Sequence, residues 1–226
     1  MTALGIIRIG DFLVRRTRLQ KIKDTLTFPL RAFLLFHEDR FGLSCQATER
    51  YDYAASQVTG TCLDMGCGSN RFINETLNGN GIGADVYRYA ENFNGVILDD
   101  PTKFPWPDAA FDSATFLANL NHVPASQRDL ELGEAFRVLR PGGNTIVTMG
   151  LPIVEILVHG VIWLYDRLFK TKLDHDNERG MVEGEEYYLT GQEIRRLLTR
   201  AGFRRIVYKP FWTQWCLNGM YIGWKD

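Results

Sequence analysis

Thr61-Cys-Leu-Asp-Met-Gly-Cys-Gly-Ser-Asn70 is the stretch that decides the fold. A short apolar run leads into an acidic residue and a glycine-rich turn, Asp64-Met-Gly66-Cys-Gly68. Glycine lets the backbone enter the left-handed region and approach a ligand closely. The next residues, Asn70 to Leu77, open a predicted helix whose first N–H groups face the same ligand. Strand, glycine turn and helix start make up the nucleotide side of an α/β sheet. Many cofactor folds share that turn, so the spacing of the downstream residues carries the weight.

Beyond the turn, the pattern of strand, turn and helix repeats. Strands are predicted at 60–64, 81–85, 95–98, 113–117 and 144–149. A helix over 126–139 is expected to turn Leu130, Ala135, Val138 and Leu139 inward and to stop at Arg140-Pro-Gly-Gly143. Such alternation implies a parallel sheet covered on both faces. The end of the chain differs. Thr190 and Glu193 have capping-box spacing for a helix running to Arg200. Strands at 203–209 and 219–224 leave no room for a helix between them, so they are expected to be antiparallel. The predicted fold is a Rossmann-like α/β sheet. It is doubly wound, seven-stranded and mostly parallel, with one antiparallel strand.

Residues 1–57 read as an N-terminal helical cap and 58–226 as the sheet domain, with an insertion at 151–189. In the cap, Arg15, Arg16, Arg18, Lys21 and Lys23 are expected to form a solvated face. Pro29 is expected to end one helix before a second piece at 31–37 and a third at 47–57. Within the insertion, Glu155, His159, Asp166 and Lys170 fall on one narrow stripe of an otherwise apolar helix, 151–170. That pattern predicts a helix buried on most sides against the cap; a lipophilic substrate wall and an in-plane membrane contact are the other readings. Residues 173–188 read as an acidic lid. Its Asp174-His175-Asp176 is expected to be solvated rather than metal-binding. Phe211, Trp212 and Trp215 are expected to pack between the last two strands.

The 226 residues carry a net charge of −1, so no global field favours nucleic acid. Four scattered cysteines without a C-x-x-C pair predict a reduced, cytoplasmic protein. Neither a secretory leader nor an uninterrupted spanning run is expected. Asp85 stands 21 residues after Asp64 at a strand end. That spacing suits a carboxylate that accepts both hydroxyls of a ribose. A nicotinamide site would need glycine where Arg71 stands.

Leu63-Asp-Met-Gly-Cys-Gly68, Gly83-Ala-Asp85, Phe104-Pro-Trp-Pro-Asp-Ala-Ala-Phe-Asp112, Asn121-His-Val-Pro124, Glu134 to Gly143 and Ala201-Gly-Phe203 together resemble the class I S-adenosylmethionine-dependent methyltransferases, in particular the type 11 small-molecule group. The likeness covers 58–150 well and 187–226 loosely. It departs at Asn70, where the family usually has glycine. The resemblance implies S-adenosyl-L-methionine as cofactor. It implies that Asp64, Gly66, Cys67, Gly68, Asp85 and Val86 bind the cofactor, with Gly66 and Gly68 at the amino-acid tail and ribose edge, Asp64 organising the turn near the tail, and Asp85 on the ribose hydroxyls. It also implies that Asp100 with Pro101 holds adenine, Asp99 competing with Asp100, and that the loop from Leu117 through Asn119 passes under the sulfonium. Phe104 and Trp106 either line the adenine slot or plug the loop.

The expected reaction is in-line methyl transfer to a small-molecule acceptor, at oxygen. His122 is the candidate general base, its bland alternative being a turn cap. Tyr187, Tyr188 and His159 are candidate acceptor contacts, and no metal is expected. Two other readings stand beside this one: a cofactor-binding protein without transfer activity, and a peripheral membrane protein with weak lipid contact.

Overall fold

The computed structural model describes residues 16–33, 39–88, 93–169 and 188–226. Seven strands form one sheet: β1 (Cys62–Met65), β2 (Gly81–Asp85), β3 (Val96–Ile97), β4 (Phe111–Leu117), β5 (Leu139–Gly150), β6 (Arg204–Pro210) and β7 (Asn218–Trp224). Their spatial order is β3-β2-β1-β4-β5-β7-β6. Strands β1 to β5 pair in parallel, and β7 lies antiparallel between β5 and β6. The chain winds outward from β1 through β2 to β3, then restarts on the other side with β4. The sheet direction therefore switches between β1 and β4. Ligands of such sheets bind outside the carboxyl ends of the strands at that switch.

Side chains alternate across the sheet and fill two cores. Leu63 and Val147 face one core, where helices α3 (Arg128–Val138) and α5 (Gly191–Ala201) contribute Leu132, Ala135, Ile194 and Leu198. Cys62 and Ile146 face the other, under α2 (Gln46–Ala55) and a π turn at Phe72–Thr76. Each fully buried aliphatic side chain contributes about 1.5–3 kcal/mol. The capping box of α5 is present, with Thr190 and Glu193 bonded reciprocally.

Several expectations are corrected. The segment after the glycine turn forms the π turn rather than an α-helix. In α3, Leu130 is exposed while Leu132 and Glu131 are buried. Strand β5 starts at Leu139 and runs through Arg140-Pro-Gly-Gly143, with a register shift against β4 where the glycines lie. Helix α1 (Arg18–Phe33) continues through Pro29. Proline cannot donate to the carbonyl four residues back. That carbonyl, of Thr25, instead accepts from Trp215 Nε1 at 2.8 Å.

The basic face of α1 is also corrected. Arg18 and Lys23 are exposed, but Arg16 is only 7 % exposed. Its guanidinium reaches Asp24 (3.0 Å), Glu49 (2.9 Å) and Asp52 (2.7 Å). Arg31 pairs with Glu49, and Gln214 Nε2 donates to that same carboxylate. Burial raises the Glu49 carboxyl above its ordinary value against the pull of both arginines. This buried network ties α1, α2 and the turn after β6 together. Phe211 stacks on Tyr53 of α2 at 4.3 Å, and Trp215 packs near Phe28 of α1, so these aromatics hold the cap rather than filling the space between strands.

Helix α4 (Pro152–Phe169) exposes Ile153, Ile156, Leu157 and Leu168. Its described side chains are thus not buried on most sides. Leu19, Ile22, Leu26 and Leu30 form an exposed apolar stripe on α1. Among the described residues no helix is long and apolar enough to cross a membrane. The expected lid and its Asp174-His175-Asp176 lie outside the described residues.

Candidate functional site

The glycine turn leaves β1 at the switch point and is pinned to β2. The amides of Gly66 and Cys67 both donate to the Ala84 carbonyl, at 2.8 and 3.2 Å. Gly66 has φ +67°, and a Cβ there would fall on the Asn119 side chain, so no other residue fits. Asn70 takes φ +60° and stands in for the missing glycine, as asparagine can. It is buried, its Nδ2 donates to Asn94 Oδ1, and among the described residues its own Oδ1 has no partner.

Asp85 ends β2 and faces back to the turn. Its carboxylate accepts from Gly68 N at 2.9 Å and from Tyr87 N at 3.2 Å. Asp85 is buried, yet it lines a narrow cleft with Met65, Gly66, Val86, Pro101, Asn119, His122, Val123, Pro124, Gln127 and Glu131. Five predicted cofactor residues (Gly66, Asp85, Val86, Pro101 and Asn119) thus converge on one cleft with His122.

The other predicted residues are placed differently. Asp64 lies behind the turn, fully enclosed, where Thr115 Oγ1 donates to it at 2.6 Å. Burial pushes its carboxyl up to about 7, and the charge of Asp85 adds to the shift. Tyr51 of α2 is close enough for Asp64 to reinforce the burial that raises its phenol. Cys67 is buried against Gly83, and burial pushes its thiol up. Leu117 sends its side chain into the core beneath α2, away from the cleft.

Asp99 is exposed. Asp100 caps its own loop: it accepts from Thr102 N and Oγ1 and pairs with Lys103 at 3.0 Å. Those donors hold its carboxyl at about 2. Neither aspartate lines the cleft; Pro101 does. Phe104 and Trp106 meet edge-on and pack with Phe111 as a plug. Tyr188 borders a separate cavity with Thr190, Gln192, Glu193 and Arg196. Tyr187 and the His159 side chain lie outside the described residues. Among the described residues no cluster could hold a metal ion.

Sequence reasoning missed Glu131, Gln127 and Val123 as cleft residues. The signal for Glu131 was its place at helical spacing with Ala135 and Val138, both of which face the core.

Residues 63–147 match the family model described as a methyltransferase domain. The ubiquinone/menaquinone biosynthesis C-methyltransferase UbiE of Bartonella bacilliformis is 28% identical over 131 residues, covering 54% of this chain and 48% of that one. The UbiE of Nitrosospira multiformis is 30% identical over 119 residues, covering 48% of this chain and 46% of the relative. The chain thus spans about half the length of the curated relatives it matches. A solved S-adenosylmethionine-dependent methyltransferase from Thermotoga maritima has the same fold with a TM-score of 0.58 and 16% identity, over 91% of this chain and 99% of that chain.

Proposed function

We propose, from the premise that this chain belongs to the class I S-adenosylmethionine-dependent methyltransferases through the domain at residues 63–147, that it transfers a methyl group from S-adenosyl-L-methionine to a small-molecule acceptor. The observation that carries the reading is the convergence of Gly66, Asp85, Val86, Pro101 and Asn119 on one cleft at the sheet's switch point. In this reading 58–226 is the transferase unit, 1–57 its cap and 151–189 a substrate-side insertion.

The residues present suit the cofactor. Asp85 uses two backbone amides to fix its carboxylate, and its remaining lone pairs are free to accept ribose hydroxyls. Val86 and Pro101 offer apolar walls for a purine. Gly66, lacking a side chain, lets the amino-acid tail approach the main chain. When bound, the cofactor supplies an electrophilic methyl on a sulfonium with a neutral leaving group.

The protein's share of the chemistry is alignment and exclusion of water. Fixing the reactants in line contributes about 7–11 kcal/mol to lowering the barrier. His122, at the cleft mouth of the turn after β4, is the proposed proton acceptor where the acceptor atom carries a proton.

The relatives named as C-methyltransferases of quinone biosynthesis add carbon to the oxygen expected from sequence. A hydroxylated ring presents both nucleophiles, and we take such a ring as the acceptor class. The exposed apolar stripe on α1 and the apolar residues of α4 support a lipophilic acceptor and weak lipid contact. The test is incubation of the protein with methyl-labelled S-adenosylmethionine and an extract split into aqueous and organic fractions. Label in an organic-soluble small molecule is expected. Label in neither fraction, while the protein binds the cofactor, would favour the non-catalytic binding reading.

A further inference from the structure

We propose that Glu131 is a second recognition residue of the cleft, pairing as a neutral carboxylic acid with the edge of the adenine ring. Its O–H donates to a ring nitrogen and its carbonyl oxygen accepts from the exocyclic amino group. The proposal rests on the reading of this cleft as the S-adenosylmethionine site.

Glu131 is only 4 % exposed, yet it lines the cleft with Asp85, Val86 and Pro101. No hydrogen-bond partner within the described residues reaches its carboxyl. A buried polar side chain facing a cleft without a partner is a group awaiting one.

The placement on the purine side comes from how α3 meets the loop after β3. Glu134, one turn further along, accepts from Phe104 N at 2.7 Å. Arg137, the next turn, donates to the carbonyls of Phe104 and Trp106. Glu131 lies one turn before Glu134, nearer the helix start, and it lines the same cleft as Pro101. There Val86 and Pro101 offer apolar walls, and in this reading the ribose takes Asp85.

The protonation state agrees with this pairing. Burial pushes the Glu131 carboxyl up to about 8, with Asp85 adding. The charged and titratable groups around it are few. Asp85 and His122 share the cleft. Arg128, on the same helix, directs Nε to the Val123 carbonyl. Asp100 and Lys103 in the neighbouring loop pair with each other. Glu193 and Arg196 of α5 border a different cavity. At neutral pH the acid therefore keeps its proton and offers one donor and one acceptor, the complement of the adenine edge. An ionised carboxylate would offer acceptors alone and repel the ring nitrogen.

The experiment is calorimetry with 5′-methylthioadenosine, which lacks the titrating amino-acid tail, at pH about 7 and about 9.5. Wild type is expected to lose about 30-fold in affinity over that range, because only the protonated fraction binds. Glu131→Gln carries the same donor and acceptor in an amide. It is expected to bind within about threefold of wild type at pH about 7 and to lose nothing at the higher pH. Glu131→Ala is expected to bind more weakly than wild type at pH about 7 and to lose nothing further at the higher pH. A wild-type affinity that stays flat overturns the proposal without any variant having to fold. Glu131→Gln that weakens with pH as wild type does overturns it too. Those outcomes leave the cofactor cleft standing. Failure of wild type to bind the nucleoside or S-adenosylmethionine at any pH overturns the cleft reading and this assignment with it.

Discussion

Asp85→Asn removes a charge while keeping the shape of the side chain. In the folded protein the carboxylate accepts from Gly68 N and Tyr87 N, at 2.9 and 3.2 Å. Asparagine keeps one acceptor and turns the other into a donor, which opposes the Gly68 or Tyr87 amide, and it takes the charge from the ribose hydroxyls. A hydrogen bond to a charged acceptor contributes about 1.5–3 kcal/mol, and two hydroxyls share this one. The expected loss is about 2–4 kcal/mol of binding, or roughly 30- to 1000-fold in Kd. The same charge has a second effect. Asp85 helps hold Asp64 and Glu131 above their ordinary values, so both carboxyls should titrate lower in the variant. Calorimetry with S-adenosylhomocysteine reads the first effect, and carboxyl titration by NMR reads the second. A folded variant whose Kd lies within about threefold of wild type refutes the ribose assignment.

Three further outcomes are expected. Arg16→Met leaves Asp24, Glu49 and Asp52 buried with Arg31 as the remaining arginine, and urea denaturation should show a loss of about 3–5 kcal/mol; a change under about 1 kcal/mol contradicts the network's role. The folded-state value of Asp64, about 7, lies above its unfolded value, so the folded state holds an extra proton between the two. The share of unliganded stability carried by Asp64 should therefore fall as pH rises from about 4 to about 7, by up to about 4 kcal/mol; Asp64→Asn should remove that share from a Tm-against-pH series and leave the slope that the raised Glu131 carboxyl adds. His122→Ala should lower kcat by about 10²-fold or more with cofactor Kd changed less than threefold; the opposite split assigns His122 to cofactor binding.

The parts of the molecule legible in the sequence are those encoded locally. The glycine turn, the carboxylate at the end of β2, the capping box at Thr190 and the antiparallel last strands each depend on a few neighbouring residues. Asn70 was legible for the same reason, since its left-handed backbone is set by the turn itself.

Most of the features that were not legible depend on distant partners. Arg16 reads as one more surface base until Glu49 and Asp52, over thirty residues away, close around it. Pro29 reads as a helix stop because nothing nearby reveals that Trp215 will occupy the carbonyl it leaves free. The charge of Glu131 argues for the outer face, whereas its spacing from Ala135 and Val138 places it on the inward one, where it is buried. Asp100 matched the expected position for an adenine acceptor, but Thr102 and Lys103, two and three residues on, claim its carboxyl.

The most direct test is titration of the purified protein with S-adenosylmethionine and, separately, with a pyridine dinucleotide, monitored by heat and by thermal shift. Saturable heat at one site and a raised Tm with the sulfonium compound, and neither with the dinucleotide, are the predicted results. The reverse pattern would contradict the account.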